Sequence, residues 1–269
     1  MRPQPRLIND KFVSKDACMG LKNHKQDFCE SLSFFSHMPV VSAVTFSRHG
    51  GASAAPYYSR NVGLHVGDEA ALVLQNRAGI KEQLGLTRLV SARQVHGDSI
   101  LVVDWLPEAD VEHAGHDALM TNIPAVGLMI QQADCQAVML YDPEHAAVAN
   151  IHSGWRGSVA NIIAKTVAAM TAAYGTRPTA LLAAISPSLG PCCGEFLQYR
   201  TELPLSFHAY QGRANHFDFW AISRDQLRDS GVRVAQIETA GTCTVCDENY
   251  FSYRREGLTG RFASVIGLL

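Results

Sequence analysis

From about residue 40 onward, short apolar runs alternate with polar turns, and their spacing sets the expected elements. "VVSAVTFS" (40–47) reads as a strand that breaks into a glycine loop at Gly50 and Gly51. "DEAALVLQNRAGIKEQLGL" (68–86) places apolar residues at helical spacing, with Asp68 as N-cap and Gly85 as the stop. "RLVSARQVHGDSILVVD" (88–104) alternates into two short strands around a turn at Gly97–Asp98. Apolar strands follow at about 126–131, 137–141 and 146–151, the last two joined as a hairpin through the turn "DPEH". "GSVANIIAKTVAAMTAAYG" (157–175) is the clearest helix, with Gly175 as its C-terminal cap. A buried strand ends at Pro187, a helix spans about 221–230, and closing strands lie near 233–238 and 264–268. Strands and helices are mixed without strict strand–helix–strand alternation. The pattern predicts one α+β domain of mixed β-sheets flanked by helices over 39–269, preceded by an irregular N-terminal extension over 1–38.

Composition narrows the class. The chain has 269 residues, 47% hydrophobic and 18% charged, with a formal net charge of -2. Near-neutral charge gives no reason to expect a nucleic-acid or membrane partner, since both usually require a basic face. No run of about 18 uncharged apolar residues is present, and residues 1–30 hold no apolar core of a signal peptide. A cytoplasmic protein is expected. Seven cysteines, an odd count without a secretion signal, argue against a disulfide framework. "CTVC" (Cys243 to Cys246) has the spacing of redox and zinc sites, but a structural zinc usually needs a second spaced pair. The "PCCG" cysteines, Cys192 and Cys193, are adjacent, so these thiols read as buried near the core.

Candidate chemistry gathers at strand ends. His96 in "QVHGD", Cys135 in "QADCQAV" and His152 in "NIHSGWRG" each follow an apolar or alternating run and precede a change of direction. Such positions present side chains at the rim of a sheet, where sites tend to be built. Two imidazoles and a thiolate suit Zn²⁺ with one position open. They equally suit a Cys–His nucleophile pair with a second histidine as orienter, or a buried thiol with two satisfied histidines. Asp134 sits beside Cys135 in an otherwise apolar run, where an acid costs stability unless hydrogen-bonded. It is expected to orient a metal-bound histidine or a backbone turn. Trp155 and Arg156 offer packing or a stacking face and an anion contact, and the helix start after them favours an anion. Arg48, Arg60, Arg77 and Arg93 precede or flank His96, and a phosphate would use one or two of them.

These segments carry a resemblance. "GGASAAPYYSRNVGLHVGDE", "VLQNR", "RQVHGDSI", "DALMT", "QADCQAVMLYD", "HSGWRGSVANII", "ISPSLGPCCGEF" and "GTCTVCDENYFSYRREGLTGRFASVI" resemble, in order, the YfiH-type family. That family is also called the laccase-domain or polyphenol-oxidase-like family of purine nucleoside phosphorylases, and the likeness covers about 46–269. It implies a single α+β domain with zinc, or alternatively copper, held by His96, Cys135 and His152. It also implies purine nucleosides and phosphate as substrates: phosphorolysis of adenosine, inosine, guanosine and methylthioadenosine, and deamination of adenosine. Arg77 matches a position associated with phosphate, Arg48 does so more weakly, and Asn61 and Arg156 complete the expected substrate contacts. Some members are described as polyphenol oxidases and some as editing factors for peptidoglycan precursors. Ser153 stands where alanine is usual, Gln136 and Ala137 where a proline is common, Ser186 where glycine is usual, and Gly194 where an aromatic is common.

The residues weigh the alternatives. Eleven scattered histidines include no HxH pair, which disfavours several copper sites. No HxE precedes Cys243, so the signature of the zinc nucleobase deaminases is missing, and any deamination uses another constellation. A hydrolase with Cys135 as nucleophile and His152 as base stays open, as does a purely structural zinc, although structural zinc normally takes four protein ligands.

Overall fold

The computed structural model describes residues 29–31, 35–36 and 38–269. Two six-stranded sheets dominate. The first runs β1 (Cys29–Ser31), β2 (Val41–Phe46), β14 (Phe262–Leu268), β7 (Val126–Gln132), β3 (Arg88–Arg93), β5 (Val111–Ala114). The second runs β13 (Ile237–Thr239), β10 (Leu182–Ile185), β8 (Gln136–Asp142), β9 (Ala147–Ser153), β6 (Ala118–Thr121), β4 (Ile100–Val103). A small hairpin of β11 (Gln211–Arg213) and β12 (His216–Phe217) stands apart. The helices are α1 (Ala70–Gln83), α2 (Trp155–Val159), α3 (Ile162–Tyr174), α4 (Tyr199–Glu202), α5 (Phe219–Asp229) and α6 (Tyr253–Glu256).

The sheets pack face to face. Val90, Leu128, Ile130 and Ile266 of the first meet Leu119, Met139 and Val148 of the second. Because successive strand residues point to opposite faces, the intervening positions face outward and need their own cover. Met129 and Val265 find it with Ile80 of α1, and Leu140 and Ile151 with Ile163 and Met170 of α3. Coverage on both faces explains why β7 to β9 read as near-continuous apolar runs. Each fully buried Leu, Ile, Val or Met there contributes about 1.5–3 kcal/mol. The architecture is the expected mixed α+β fold, layered helix, sheet, sheet, helix.

Several local expectations change. The strands around Gly97–Asp98 form, but β3 and β4 lie in different sheets, so the turn between them is a crossing from one sheet to the other. The helix expected over 157–175 is two helices, because Asn161 adopts a left-handed φ of 54° and its side chain caps Ala164 N. Asparagine is one of the few residues that tolerates this conformation. Gly175, at φ 74°, ends α3 as expected. Glu69 rather than Asp68 takes the N-cap position of α1, while the Asp68 carboxylate accepts from Glu69 N and Asn61 Nδ2. The strand expected near 233–238 starts as a tight turn (Val234–Gln236), leaving only Ile237–Thr239 to pair. Within the expected extension, Cys29–Ser31 pairs antiparallel with β2, and residues 1–28 lie outside the described residues.

Candidate active site

His96, Cys135 and His152 converge. The β8–β9 hairpin pairs Ala137 with His152 and Gln136 with Ser153, so Cys135, just before β8, lies beside the end of β9. His96 arrives from the other direction, on the crossing between sheets. Its Nε2 lies 3.8 Å from Cys135 Sγ, and its ring meets that of His152 edge-on at 4.8 Å between centroids. The donor atoms of the three all lie within 4.8 Å of one another. A tetrahedral zinc with its usual Zn–N and Zn–S bonds needs nitrogen and sulfur about 3.6 Å apart, so this donor set fits such an ion. Among the described residues the set has three members, which leaves a coordination position for something other than protein.

Asp117 builds this geometry. Its fully buried carboxylate accepts from Val95 N (3.2 Å), His96 N (2.9 Å) and Gly97 N (2.8 Å), and so holds the turn that carries His96. That hold matters because His96 sits at φ 60°, a region costly for a side-chain-bearing residue. The same carboxylate meets His152 Nδ1 at 2.8 Å. With Nδ1–H donated to Asp117, the lone pair of His152 lies on Nε2, the nitrogen left for a metal. Asp134 does something else. It accepts from Thr244 Oγ1 and Arg254 N, both at 2.7 Å, and ties a backbone turn rather than a histidine. Behind the thiol, Gln132 Nε2 donates to Cys135 O and to Ser186 Oγ, and Ser186 Oγ also accepts from Ala137 N. Ser186 therefore braces the Cys135 loop from a buried position. Gly154 is a steric requirement: a Cβ there would lie 2.9 Å from His96 Cδ2 and 3.0 Å from Cys135 Sγ.

The electrostatics are those of an ion pair. Burial pushes the Cys135 thiol up, but the imidazoles of His152 and His96 outweigh it and bring the thiol down to about 6. Burial likewise disfavours the His152 imidazolium, yet the Cys135 thiolate and the Asp117 carboxylate raise it to about 9. For Asp117, burial is outweighed by His152 and the backbone amides, which keep its carboxyl below the usual range.

The three residues line a cavity of about 760 Å³, large enough for a small-molecule ligand. Trp155, Phe196, Phe219 and Tyr253 are its aromatic lining residues, and Arg93, Arg254 and Arg261 its arginines. Arg261 lies close enough for its charge to be favoured by Cys135 and Asp134, although burial still pulls its pKa below the ordinary value.

Residues 42–269 match the family described as multi-copper polyphenol oxidoreductase laccase. The chain belongs to this family, the YfiH type. It is 34% identical to a purine nucleoside phosphorylase of Bacteroides thetaiotaomicron over 257 residues, 88% of this chain and 94% of that protein. It is 32% identical to the purine nucleoside phosphorylase YfiH of Shigella flexneri, over 85% of this chain and 94% of that protein. The crystal structure of Bacillus licheniformis hypothetical protein YfiH superposes with a TM-score of 0.79 at 31% identity, covering 85% of this chain and 93% of that one. YlmD from Geobacillus stearothermophilus superposes at 0.77 with 30% identity, covering 86% and 92%.

Within this YfiH-type chain, Arg93, Asp134 and Trp155 line the cavity, whereas the substrate contacts expected at Arg77, Arg48, Asn61 and Arg156 sit apart from its lining. Arg77 is buried against Glu112 (2.7 Å) and Val62 O (2.8 Å). Arg48 pairs with Glu256 at 2.5 Å and stacks over Phe251. Asn61 is buried and accepts from Gly63 N and Arg261 N, acting through the backbone of a lining arginine. Arg156 stacks over Trp155 at 4.3 Å, so the tryptophan lines the cavity and the arginine braces it. Sequence reasoning missed Asp117, Arg254 and Arg261. Asp117 carried a usable signal, an acid opening the apolar run "DALM" just as Asp134 interrupts its own. No helix among the described residues is long and apolar enough to cross a membrane.

Proposed function

We propose that this chain is a zinc-dependent purine nucleoside phosphorylase, acting on adenosine, inosine, guanosine and methylthioadenosine, that also deaminates adenosine. The observation that carries the reading is the three-donor set of His96, Cys135 and His152 at a cavity that is also lined by three arginines and four aromatic residues. His96 Nε2, Cys135 Sγ and His152 Nε2 would hold the ion, which when bound supplies Lewis acidity. Arg93, Arg254 and Arg261 bind the phosphate by charge-assisted hydrogen bonds, in place of Arg77 and Arg48, whose guanidinium groups are paired elsewhere. Trp155, Phe196 and Phe219 sandwich the purine and exclude water. In phosphorolysis the bond between C1′ and N9 breaks, and its electron pair leaves with the base, which takes up a proton. A phosphate oxygen forms the new bond to C1′, giving ribose 1-phosphate. In deamination, water replaces the amino group at C6 and ammonia leaves. The fixed guanidinium groups face the phosphate without reorganising during reaction, which is where such sites gain most of their rate.

The test is a product assay with adenosine, with and without phosphate, beside metal analysis of wild type and Cys135→Ala. The expected result is adenine and ribose 1-phosphate only with phosphate, inosine without it, and loss of both activities together with the ion in Cys135→Ala. Copper in place of zinc with phenol oxidation, or a Cys135→Ala variant that keeps metal and phosphorolysis, overturns the reading. So does amino-acid release from a peptidoglycan precursor by metal-free protein, the outcome of a cysteine hydrolase.

A further inference from the structure

We propose that Cys192, Cys193, Cys243 and Cys246 form a second metal site, a closed four-thiolate zinc centre that clamps two loops of the cavity wall. The proposal is independent of the reaction assigned to the first site. From sequence these thiols are expected to be buried near the core. The fold instead brings the adjacent pair and the spaced pair to one point, with Cys243 buried, Cys193 half-buried and Cys192 and Cys246 exposed. All four sulfur atoms lie within 4.8 Å of one another. Cys246 Sγ is 3.6 Å from both Cys192 Sγ and Cys193 Sγ. The edge of a tetrahedron with ordinary zinc–sulfur bonds is about 3.8 Å, a spacing these four sulfurs fit. All four are free thiols.

The loops are built for thiolates. The Cys243–Cys246 turn is closed by Cys246 N and Asp247 N donating to Cys243 O at 3.1 and 2.9 Å. Gly190 N donates to Cys243 Sγ at 3.3 Å, the amide-to-sulfur contact that a thiolate rewards. Gly190 has no room for a side chain, since a Cβ would meet Trp220 at 2.8 Å and Cys243 Cβ at 2.9 Å. Cys193 N closes the opposing turn on Gly190 O at 3.0 Å. Four thiolates on a dication leave two negative charges, and a cationic side chain braces each loop. Arg213 Nη2 donates to Cys192 O (2.6 Å), and Arg255 Nη1 to Thr244 O (2.5 Å). Soft thiolates in a tetrahedral set select zinc over hard cations. Past Cys193 the chain continues into Glu195, Phe196 and Leu197, and past Cys246 into Tyr253 and Arg254, all lining the cavity. Arg254 Nη1 donates to Glu195 O (2.9 Å), so the two arms already meet on the cavity side and the zinc closes them on the other.

The decisive experiment loads metal-free protein with cadmium and records cadmium NMR, alongside zinc stoichiometry of wild type, Cys135→Ala and Cys246→Ser. Wild type should show two cadmium resonances, the more deshielded one from the four-thiolate site. It should bind two zinc ions per chain. Cys135→Ala should lose one ion and keep the deshielded resonance, and Cys246→Ser should lose that resonance and keep the other. Because the wild-type spectrum needs no variant to fold, a single resonance with only histidine-type shielding overturns the proposal. A Cys246 disulfide recovered from protein isolated without reductant overturns it as well.

Discussion

Asp117→Asn is the sharpest perturbation of the candidate site, because one carboxylate serves both histidines. Oδ1 accepts from His96 N and His152 Nδ1, and Oδ2 from Val95 N and Gly97 N. An asparagine presents one oxygen and one NH₂, so whichever way it faces, one pair of donors meets another donor. If the NH₂ faces the Gly97 side, the turn carrying His96 loses its hold. If it faces His152, the imidazole must move its proton to Nε2, the nitrogen needed by the metal. Each stranded buried donor costs about 1–3 kcal/mol, and partial relaxation leaves an expected loss of about 2–4 kcal/mol in folding stability. Loss of a carboxylate partner behind a metal-bound histidine costs about 10–100-fold in metal affinity.

Urea unfolding of metal-free protein reads the first quantity, and competition with a chromophoric chelator reads the second. Asp142→Asn is the control. That carboxylate is equally buried and holds Glu144 N and His145 outside the site, so its loss should lower stability and leave metal affinity intact. Zinc binding within twofold of wild type in Asp117→Asn, or equal weakening in Asp142→Asn, would rule out this role for the carboxylate. The Asp117 carboxyl lies below its ordinary value in the fold, so its stabilisation is complete above the unfolded aspartate pKa and drains away as pH falls through the folded one.

Four further outcomes follow from the same geometry. Gly154→Ala should fold normally, because φ there is -79°, yet lose on the order of 10-fold or more in kcat/KM as its Cβ displaces His96 or Cys135; unchanged kinetics would show that the site yields freely. Arg261→Gln should raise the KM for phosphate about 10-fold with stability little changed. Arg77→Gln should instead cost about 3–5 kcal/mol by stranding Glu112, with phosphate KM unmoved, and the reverse pattern would return phosphate binding to Arg77. In metal-free protein, the alkylation rate of Cys135 mapped by mass spectrometry should rise through pH about 6 to a plateau. Zinc should abolish the reaction, and His152→Ala should shift the midpoint toward an ordinary thiol value.

The strand ends were legible in the sequence because they carry two signals at once: apolar periodicity up to the sheet edge, then a ligand-type side chain beside a turn residue. His96, Cys135 and His152 all have this form, and the fold brings all three together. The partners of the strands were less legible. Nothing local in "RLVSARQVHGDSILVVD" distinguishes a hairpin from a crossing, since the choice is made by Val126–Gln132 and Ala118–Thr121, which pair with its two halves. Helix continuity failed at Asn161 for the opposite reason, a single residue able to cap the following helix by giving up helical backbone. The arginines mark a firmer limit. Arg77 reads as a phosphate contact until Glu112 and Val62 are folded onto it, and nothing local in "YRREGLTGR" tells that Arg254 and Arg261 line the cavity while Arg255 does not.

The cysteines show where a spacing rule must give way to geometry. A paired CxxC signature describes one way of bringing four sulfurs together, in which each turn supplies two ligands from the same side. What a tetrahedral ion requires is only that the sulfurs end about 3.8 Å apart. Adjacent residues satisfy that when the chain reverses at them, as the Cys193 N to Gly190 O turn does, and when a second loop approaches closely enough, as Gly190 permits. A pair of neighbouring cysteines following a glycine therefore remains a metal half-site wherever the fold delivers a CxxC turn to it. In this chain the isolated bridge between Ser188 and Cys243 makes that delivery.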